Sequence, residues 1–252
     1  MKSASGFIVK AGNQYYLVTN WHVVSDGDID TDGQQEPVRK PYLPKTWVHM
    51  HEGIGEKHVP PSMGMRKRIT VQLYDDHDSP RWLERGTTEG NQHMVDIVAL
   101  PIQVNLTLAL FSEKGLNITK GSWDQNTDYW TKISAIPISA IDTNVEYGPP
   151  DVIHIIGYPI GWAPDGIDRT SSAFWRTSFI ASEIYEAGRH RDDTFFIDPS
   201  APEGMTGSPV VGMKKDRMKL LGVYSDRSTA EFGASASLVY GARWVKELIQ
   251  AS

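Results

Sequence analysis

The chain has 252 residues, 40% of them hydrophobic and 22% charged, which is ordinary for a soluble globular protein. Its net charge of −6 argues against nucleic acid as the main partner, because phosphate binding needs a positive surface. The absence of cysteine excludes disulfides, a cysteine nucleophile and a thiolate metal site. Because the sequence also lacks the apolar run of a signal peptide or membrane span, we expect a cytoplasmic protein.

Short β-prone segments separated by Gly, Pro, Asn and Asp dominate the chain. Residues 7–9 and 15–19 flank Gly12-Asn13, a pattern typical of a β-hairpin. Further strands are predicted, in chain order, at 69–74, 95–100, 152–156, 179–182, 194–197, 209–211, 220–224 and 237–240. The one predicted helix covers 242–251 and places Val245, Leu248 and Ile249 on one face. Many strands and a terminal helix indicate an all-β barrel or sandwich protein.

Two polar stretches interrupt this pattern of strands. Residues 25–65 are rich in Asp, Gly, Pro and His and are interpreted as a long surface insertion. Residues 112–150 mix polar and apolar segments and are interpreted as a connection between two β units.

Three segments carry residues of types that take part in catalysis. His22 ends a β-rich run, where a lone histidine is more often structural than catalytic. Asp96 heads an apolar strand, so it is either a cap at the strand start or a buried carboxylate that needs a partner. Thr206 lies between Gly204 and Gly207, and such glycines permit a tight turn that exposes backbone amides. That turn either presents a nucleophile beside an oxyanion site or simply precedes a strand.

The order of these segments resembles a known enzyme family. His22, then Asp96, then the run Gly204-Met205-Thr206-Gly207-Ser208-Pro209 is similar to the trypsin-like (chymotrypsin-fold) peptidases, in particular their bacterial, disulfide-free branch. In that family the catalytic serine stands immediately before the second glycine of a Gly-x-Ser-Gly-Gly/Ser-Pro motif. The matching glycines and proline therefore place Thr206, and not Ser208, at the nucleophile position.

The likeness extends beyond these three positions. Ser5-Gly6-Phe7 resembles the first strand of the family, and Gly157-Tyr158-Pro159 resembles its Gly-x-Pro strand. Residues 179–182 match the strand that follows, and the terminal helix is where the family has one. The resemblance covers the chain from about residue 5 to its end, with 25–65 and 103–150 unmatched.

The resemblance implies a fold of two antiparallel six-stranded β-barrels, packed side by side and followed by a C-terminal α-helix. Residues 1–135 would form the first barrel with its insertion and the connecting segment, and 136–252 the second barrel and the helix. The site would lie in the cleft between the barrels, with His22 and Asp96 from the first barrel and Thr206 from the second.

The resemblance also implies a role for each site residue. His22 would act as general base and acid, and Asp96 would fix its tautomer and stabilise the imidazolium. The backbone N–H groups of Gly204 and Thr206 would form the oxyanion hole. The family register assigns the substrate pocket to Ser200 at its base and, along its wall, to Tyr224, Ser225, Asp226 and Arg227. Without an acid at position 200, specificity for Lys or Arg is not supported; Arg227 would select an acidic side chain or pair with Asp226.

The function implied is that of an endopeptidase that cleaves an extended polypeptide through a His-Asp-Thr triad and an acyl-enzyme. No cofactor, metal, nucleic acid or membrane is expected to take part. Two alternatives remain open. The chain is a weakened or inactive relative that binds peptides, or it is a Ser-to-Thr variant of a serine protease effector whose regulatory domains lie outside it.

Overall fold

The fold is described from a computed structural model of the chain. The structure describes residues 4–25, 45–51, 53–54, 66–84, 95–102, 110–112, 115–118, 131–133, 135–141, 143, 147–160, 173–182, 193–214, 217–228 and 236–251. Within these ranges no helix is long and apolar enough to cross a membrane.

Sixteen strands and two α-helices follow one another along the described part of the chain. In the first half they are β1 Phe7–Ala11, β2 Gln14–Thr19, α1 Trp21–Ser25, β3 Lys45–His51, β4 Gly53–Ile54, β5 Arg66–Gln72, β6 Val98–Ile102, β7 Leu110–Ser112, β8 Gly115–Ile118, β9 Thr131–Ile133 and β10 Ile136–Pro137, with a 3-10 turn at Ile138–Ala140. In the second half they are β11 Val152–Gly157, β12 Phe174–Ile180, β13 Thr194–Asp198, β14 Pro209–Lys214, β15 Arg217–Ser228, β16 Ser237–Gly241 and α2 Ala242–Gln250.

The second half forms a closed six-stranded barrel. Its strands pair antiparallel in the order β11-β12-β13-β16-β15-β14, and β14 closes on β11. Side chains alternate across each strand, so Ile153 and Ile155 of β11 point to the interior and are fully buried there. Ile197 and Val239 from the opposite wall meet them in the same core cluster. The barrel is therefore filled by side chains, and each predicted strand of this half overlaps one of its strands. The strand predicted at 179–182 overlaps only the end of β12, which stops at Ile180.

The N-terminal half holds an open sheet in the order β10-β1-β2-β6. The predicted hairpin is confirmed: β1 pairs with β2 across Gly12-Asn13, and Gly12 takes a φ of +57° that favours glycine. The other described strands of this half form a β3–β5 pair and a sheet in the order β4-β9-β8-β7. The segment interpreted as a surface insertion thus contains β3 and β4.

The two-barrel prediction is confirmed only in part. One closed barrel and the C-terminal helix are present, but the described residues of the first half do not show a second barrel. The sheet runs from β10 to β6, and no described pairing joins β6 back to β10. The domain boundary after residue 135 stays a prediction; β10, just beyond it, pairs parallel with β1 of the N-terminal sheet.

Helix α2 joins the two halves through a shared core. It begins after Gly241 and buries Trp244, Val245 and Ile249, as the predicted amphipathic pattern requires. These side chains belong to one cluster with Val9 of the N-terminal sheet and Leu220 of the barrel. The helix therefore fixes the sheet against the barrel, and the candidate site lies along that junction.

Candidate active site

His22 and Asp96 form a hydrogen-bonded pair at the end of the N-terminal sheet. Strand β2 ends at Thr19, where the predicted strand ends, and His22 lies on the short helix α1 that follows it. Its Nδ1 lies 2.8 Å from Asp96 Oδ2, and its backbone N–H donates to Asp96 Oδ1 at 3.0 Å. Because a carboxylate accepts the Nδ1 proton, the ring presents Nε2 as its free acceptor.

Asp96 is fully buried, so it is the paired carboxylate and not a surface cap at the start of a strand. Contacts with residues other than His22 also hold it. The Asn20 side-chain amide donates to the Asp96 carbonyl at 2.7 Å, and the Ser225 hydroxyl approaches Oδ2 at 3.4 Å. Ser225 was assigned to the pocket wall, but the structure places this buried side chain against the carboxylate. Strand β15 of the barrel thus reaches the His22–Asp96 pair.

The turn that contains Thr206 depends on two glycines. Gly204 has a φ of +90° and Gly207 a φ of +86°, conformations that L side chains rarely adopt. A Cβ on Gly204 would lie 2.7 Å from the Ile160 nitrogen, and one on Gly207 would overlap the Ser5 carbonyl oxygen. The predicted tight turn is confirmed, and both glycines are required by backbone conformation and by space.

Two amides of this turn carry no hydrogen bond to any residue that the structure describes. Neither the Gly204 nor the Thr206 N–H donates within the described part of the chain. The three other amides of the segment are all bonded: Met205 to Pro202, Gly207 to Tyr224 and Ser208 to Met205. The unbonded pair is the one that the sequence assigned to an oxyanion hole.

The orientation of the flanking peptides explains why these two amides are unbonded. The Glu203 carbonyl accepts the Ile160 N–H at 2.9 Å. In a trans peptide the N–H points opposite to the C=O, so the Gly204 N–H is directed away from Ile160. The Met205 carbonyl likewise accepts the Ser208 N–H at 2.9 Å, which directs the Thr206 N–H away from that contact. Such paired amides can bind an oxygen anion.

The two hydroxyls of the motif have different surroundings. Ser208 is fully buried, its Oγ has no hydrogen-bond partner among the described residues, and a Cβ on Gly157 would overlap it. The Ser208 hydroxyl therefore faces the backbone of β11 and cannot meet a substrate. Thr206 retains 9% of its exposure. Of the two hydroxyl residues, Thr206 alone keeps contact with solvent.

Thr206 and the His22–Asp96 pair are connected from two sides. On one side Ser5 donates its N–H to the Thr206 carbonyl at 2.8 Å and accepts the Thr19 hydroxyl, three residues before His22, at 2.9 Å. On the other side Gly207 donates to Tyr224, the neighbour of Ser225. The hydrogen bonds of the described residues include none between the Thr206 hydroxyl and the His22 ring.

Two of the five predicted pocket residues, Tyr224 and Ser225, are buried. Ser200 is half-buried and Tyr224 fully buried; the Tyr224 hydroxyl accepts the Ala201 N–H at 3.0 Å and lies 3.1 Å from Ser237 Oγ. Tyr224 thus ties the 199–202 segment to β16 across the barrel core. The side chains of Asp226 and Arg227 lie outside the described residues, so their assignment stays a prediction.

One group beside His22 had no signal in the sequence. The Glu84 carboxylate accepts both the Trp21 indole N–H at 2.8 Å and the Trp82 indole N–H at 2.7 Å. Burial, with a smaller contribution from the charge of Glu84, raises the pKa of nearby Tyr74 to about 12. Glu84 holds the residue that precedes His22, yet the two are distant in sequence and no motif joins them.

Comparison with known proteins does not identify the chain. No protein-family model matches it, and no curated protein is significantly similar. The described part of the chain holds no cluster of three or more His, Asp or Glu side chains suited to a metal ion. The resemblance to trypsin-like peptidases stays a prediction.

Proposed function

We propose that the protein is a trypsin-like endopeptidase in which Thr206 supplies the nucleophile. One observation carries the proposal. A buried carboxylate holds a histidine ring through its Nδ1, and hydrogen bonds of Ser5 join the end of the preceding strand β2 to a glycine-flanked turn that offers one hydroxyl and two amides without a bond among the described residues. Base, hydroxyl and anion-binding amides are the three parts that acyl transfer requires.

In the proposed reaction, His22 Nε2 takes the hydroxyl proton of Thr206 as Oγ1 forms a bond to the scissile carbonyl carbon. The negative charge that develops on the carbonyl oxygen is stabilised by hydrogen bonds that the Gly204 and Thr206 N–H groups donate to it. Protonated His22 then gives its proton to the leaving amine as the C–N bond breaks. Water, activated by His22, hydrolyses the resulting acyl-enzyme. Asp96 stabilises the imidazolium in both halves of the cycle.

Threonine sets the expected rate of this reaction. Its extra methyl restricts χ1, so the hydroxyl has fewer ways to approach His22 than a serine hydroxyl has. A misplacement of about 1 Å can cost roughly a hundredfold in rate. The absence of a Thr206–His22 hydrogen bond agrees with a slow enzyme. We therefore propose weak activity for this chain and higher activity for its Thr206→Ser variant.

The substrate proposed is an extended polypeptide whose backbone pairs with a strand edge at the cleft. No cofactor is required by the reaction as written. The substrate side chain preferred at the cleavage site is left open, because Tyr224 and Ser225 are buried and occupied by contacts within the protein.

A second candidate function is peptide binding without cleavage. The observation that favours it is again Thr206, whose hydroxyl is not bonded to His22. In that case the turn and its amides would recognise a peptide carbonyl or carboxylate, and no bond would break. A form regulated by domains outside this chain is compatible with either candidate.

A peptide library separates the two functions. The chain, Thr206→Ser, His22→Ala and the Thr206→Ser/His22→Ala double variant are incubated with the library, and products are identified by mass spectrometry. We expect cleavage by Thr206→Ser at least about tenfold faster than by the unchanged chain. Both His22→Ala proteins should fall to background, because the general base is lost.

The same experiment can contradict the endopeptidase proposal. If neither the unchanged chain nor Thr206→Ser cleaves any peptide, the endopeptidase proposal is wrong. Retention of library peptides by the unchanged chain, weakened by Gly204→Ala, would then support peptide binding. Cleavage that persists in the double variant would indicate a contaminating peptidase.

A further inference from the structure

Ser5 makes four hydrogen bonds at the junction of the two halves within the described part of the chain. Its N–H donates to the Thr206 carbonyl at 2.8 Å, and its Oγ donates to the Gly204 carbonyl at 2.9 Å. The same Oγ accepts the Tyr158 N–H at 3.0 Å, and the Ser5 carbonyl accepts the Thr19 hydroxyl at 2.9 Å. Ser5 thus contacts the turn of Thr206, the end of β11 and the end of β2.

These hydrogen bonds are made in the protein interior, where each one contributes more to stability than it would at the surface. Ser5 is buried, and its N–H, C=O and hydroxyl are all used. A hydrogen bond formed away from water is stronger, and removal of one partner leaves the other buried and unsatisfied. Ser208 shows that burial alone does not produce such a network, because its equally buried hydroxyl has no partner among the described residues.

The two carbonyls that Ser5 holds belong to the residues whose amides are unbonded. A carbonyl direction fixes the ψ of its own residue, so Ser5 restrains ψ at both Gly204 and Thr206. Glycine restrains its own backbone least, because it has no Cβ. Without the Ser5 hydroxyl, the peptide that joins Gly204 to Met205 would lose its one described side-chain contact and keep only the 3.3 Å bond from the Met205 N–H to the Pro202 carbonyl. This peptide lies between the two peptides that carry the Gly204 and Thr206 N–H groups, so its rotation would change the direction of these amides relative to each other.

We propose that Ser5 is a positioning residue that holds the Gly204 and Thr206 amides in the orientation that binds the oxyanion. Its catalytic consequence rests on the endopeptidase function proposed above, whereas its effect on the turn does not. Ser5 touches no reacting atom and acts only through the backbone of the turn.

The catalytic consequence is tested with Ser5→Ala in the Thr206→Ser background. The matched control is Ser178→Ala, which removes another buried serine hydroxyl, one with a single described hydrogen bond, of 2.8 Å, to the Pro199 carbonyl. We expect Ser5→Ala to lower kcat about tenfold to a hundredfold with KM within about threefold, because only the transition state bears the oxyanion. Ser178→Ala should leave kcat within about twofold, and it should lower Tm about as much as Ser5→Ala does.

The effect on the turn is tested without any turnover. Hydrogen–deuterium exchange of peptides covering residues 203–208 is compared in the unchanged chain, Ser5→Ala and Ser178→Ala. We expect faster exchange in this segment for Ser5→Ala alone. Unchanged exchange there overturns the proposal, as does a kcat no lower than that of Ser178→Ala. If Thr206→Ser cleaves no peptide, the function fails, and the exchange result still decides whether Ser5 restrains the turn.

Discussion

At the scale of single residues, chemical environment separates groups that look alike in the sequence. Asp96 could have been a surface cap, and burial together with two contacts to His22 makes it the orienting carboxylate. Thr206 and Ser208 both carry hydroxyls in one turn, and only Thr206 keeps exposure. The motif register had selected Thr206, and the structure supplies a steric reason against Ser208.

The role of Asp96 is tested by an isosteric change. Asp96→Asn keeps the shape of the side chain but offers an NH₂ group in place of a carboxylate oxygen, so His22 takes the wrong tautomer or loses its partner. We expect kcat of the Thr206→Ser enzyme to fall by about 10³–10⁴, with little change in KM. The control is Asp151→Asn. The Asp151 carboxylate accepts the Gly148 N–H at 3.0 Å and makes no described contact with His22. Equal losses in the two variants would contradict the assignment.

At the scale of one element, the 204–207 turn combines conformational and steric demands. Gly204 and Gly207 both take positive φ, and both face backbone atoms where a Cβ would stand. Hydrogen bonds from Gly207 to Tyr224 and from Ser5 to Thr206 join this turn to the barrel and to the N-terminal sheet. Its shape is therefore fixed by long-range contacts as well as by its own glycines.

Two glycine variants separate these demands. Gly12→Ala introduces a side chain at a φ of +57° with no atom within 4 Å, so it should cost only the conformational penalty of about 1–2 kcal/mol. Gly207→Ala adds overlap with Ser5 and Thr19, and we expect its free energy of unfolding to fall by about 1–3 kcal/mol more. Urea denaturation measures both. A Gly207→Ala cost no greater than that of Gly12→Ala would contradict the described packing.

At the scale of the whole molecule, the two halves share one core. Helix α2 packs against β6 of the N-terminal sheet and β15 of the barrel. Its buried face belongs to a cluster that includes residues of both. Since His22 and Asp96 lie in one half and Thr206 in the other, this shared core fixes the geometry of the site.

Ile249→Ala tests whether the halves are stabilised together. The side chain is 4% exposed, so its truncation should lower the free energy of unfolding by about 2–5 kcal/mol. Because the core is shared, we expect a single urea transition that coincides by tryptophan fluorescence and far-UV circular dichroism. The half-buried Leu248→Ala should cost less. Two separated transitions, with only one shifted by Ile249→Ala, would show independent halves.

The sequence alone determined the features that arise from local pattern. Short β-prone segments separated by turn residues predicted strands of the barrel, Gly12-Asn13 predicted the hairpin, and the spacing of Val245, Leu248 and Ile249 predicted the terminal helix. The glycines around Thr206 predicted the turn, because positive φ is a local requirement. The order of the motifs suggested His22 and Asp96 as partners.

Only the tertiary structure decided the features that depend on distant segments. Burial of Asp96, its contact with Ser225, the Glu84 contact with Trp21 and the Ser5 network join residues far apart in the chain, and no local pattern encodes them. Closure of the barrel is decided in the same way, because it requires the two end strands of the sheet, β14 and β11, to pair with each other. Strands β11 to β16 close, whereas the described strands of the first half form open sheets. Local propensity determines which segments form strands, and the pairing of distant strands brings the residues of the candidate site together.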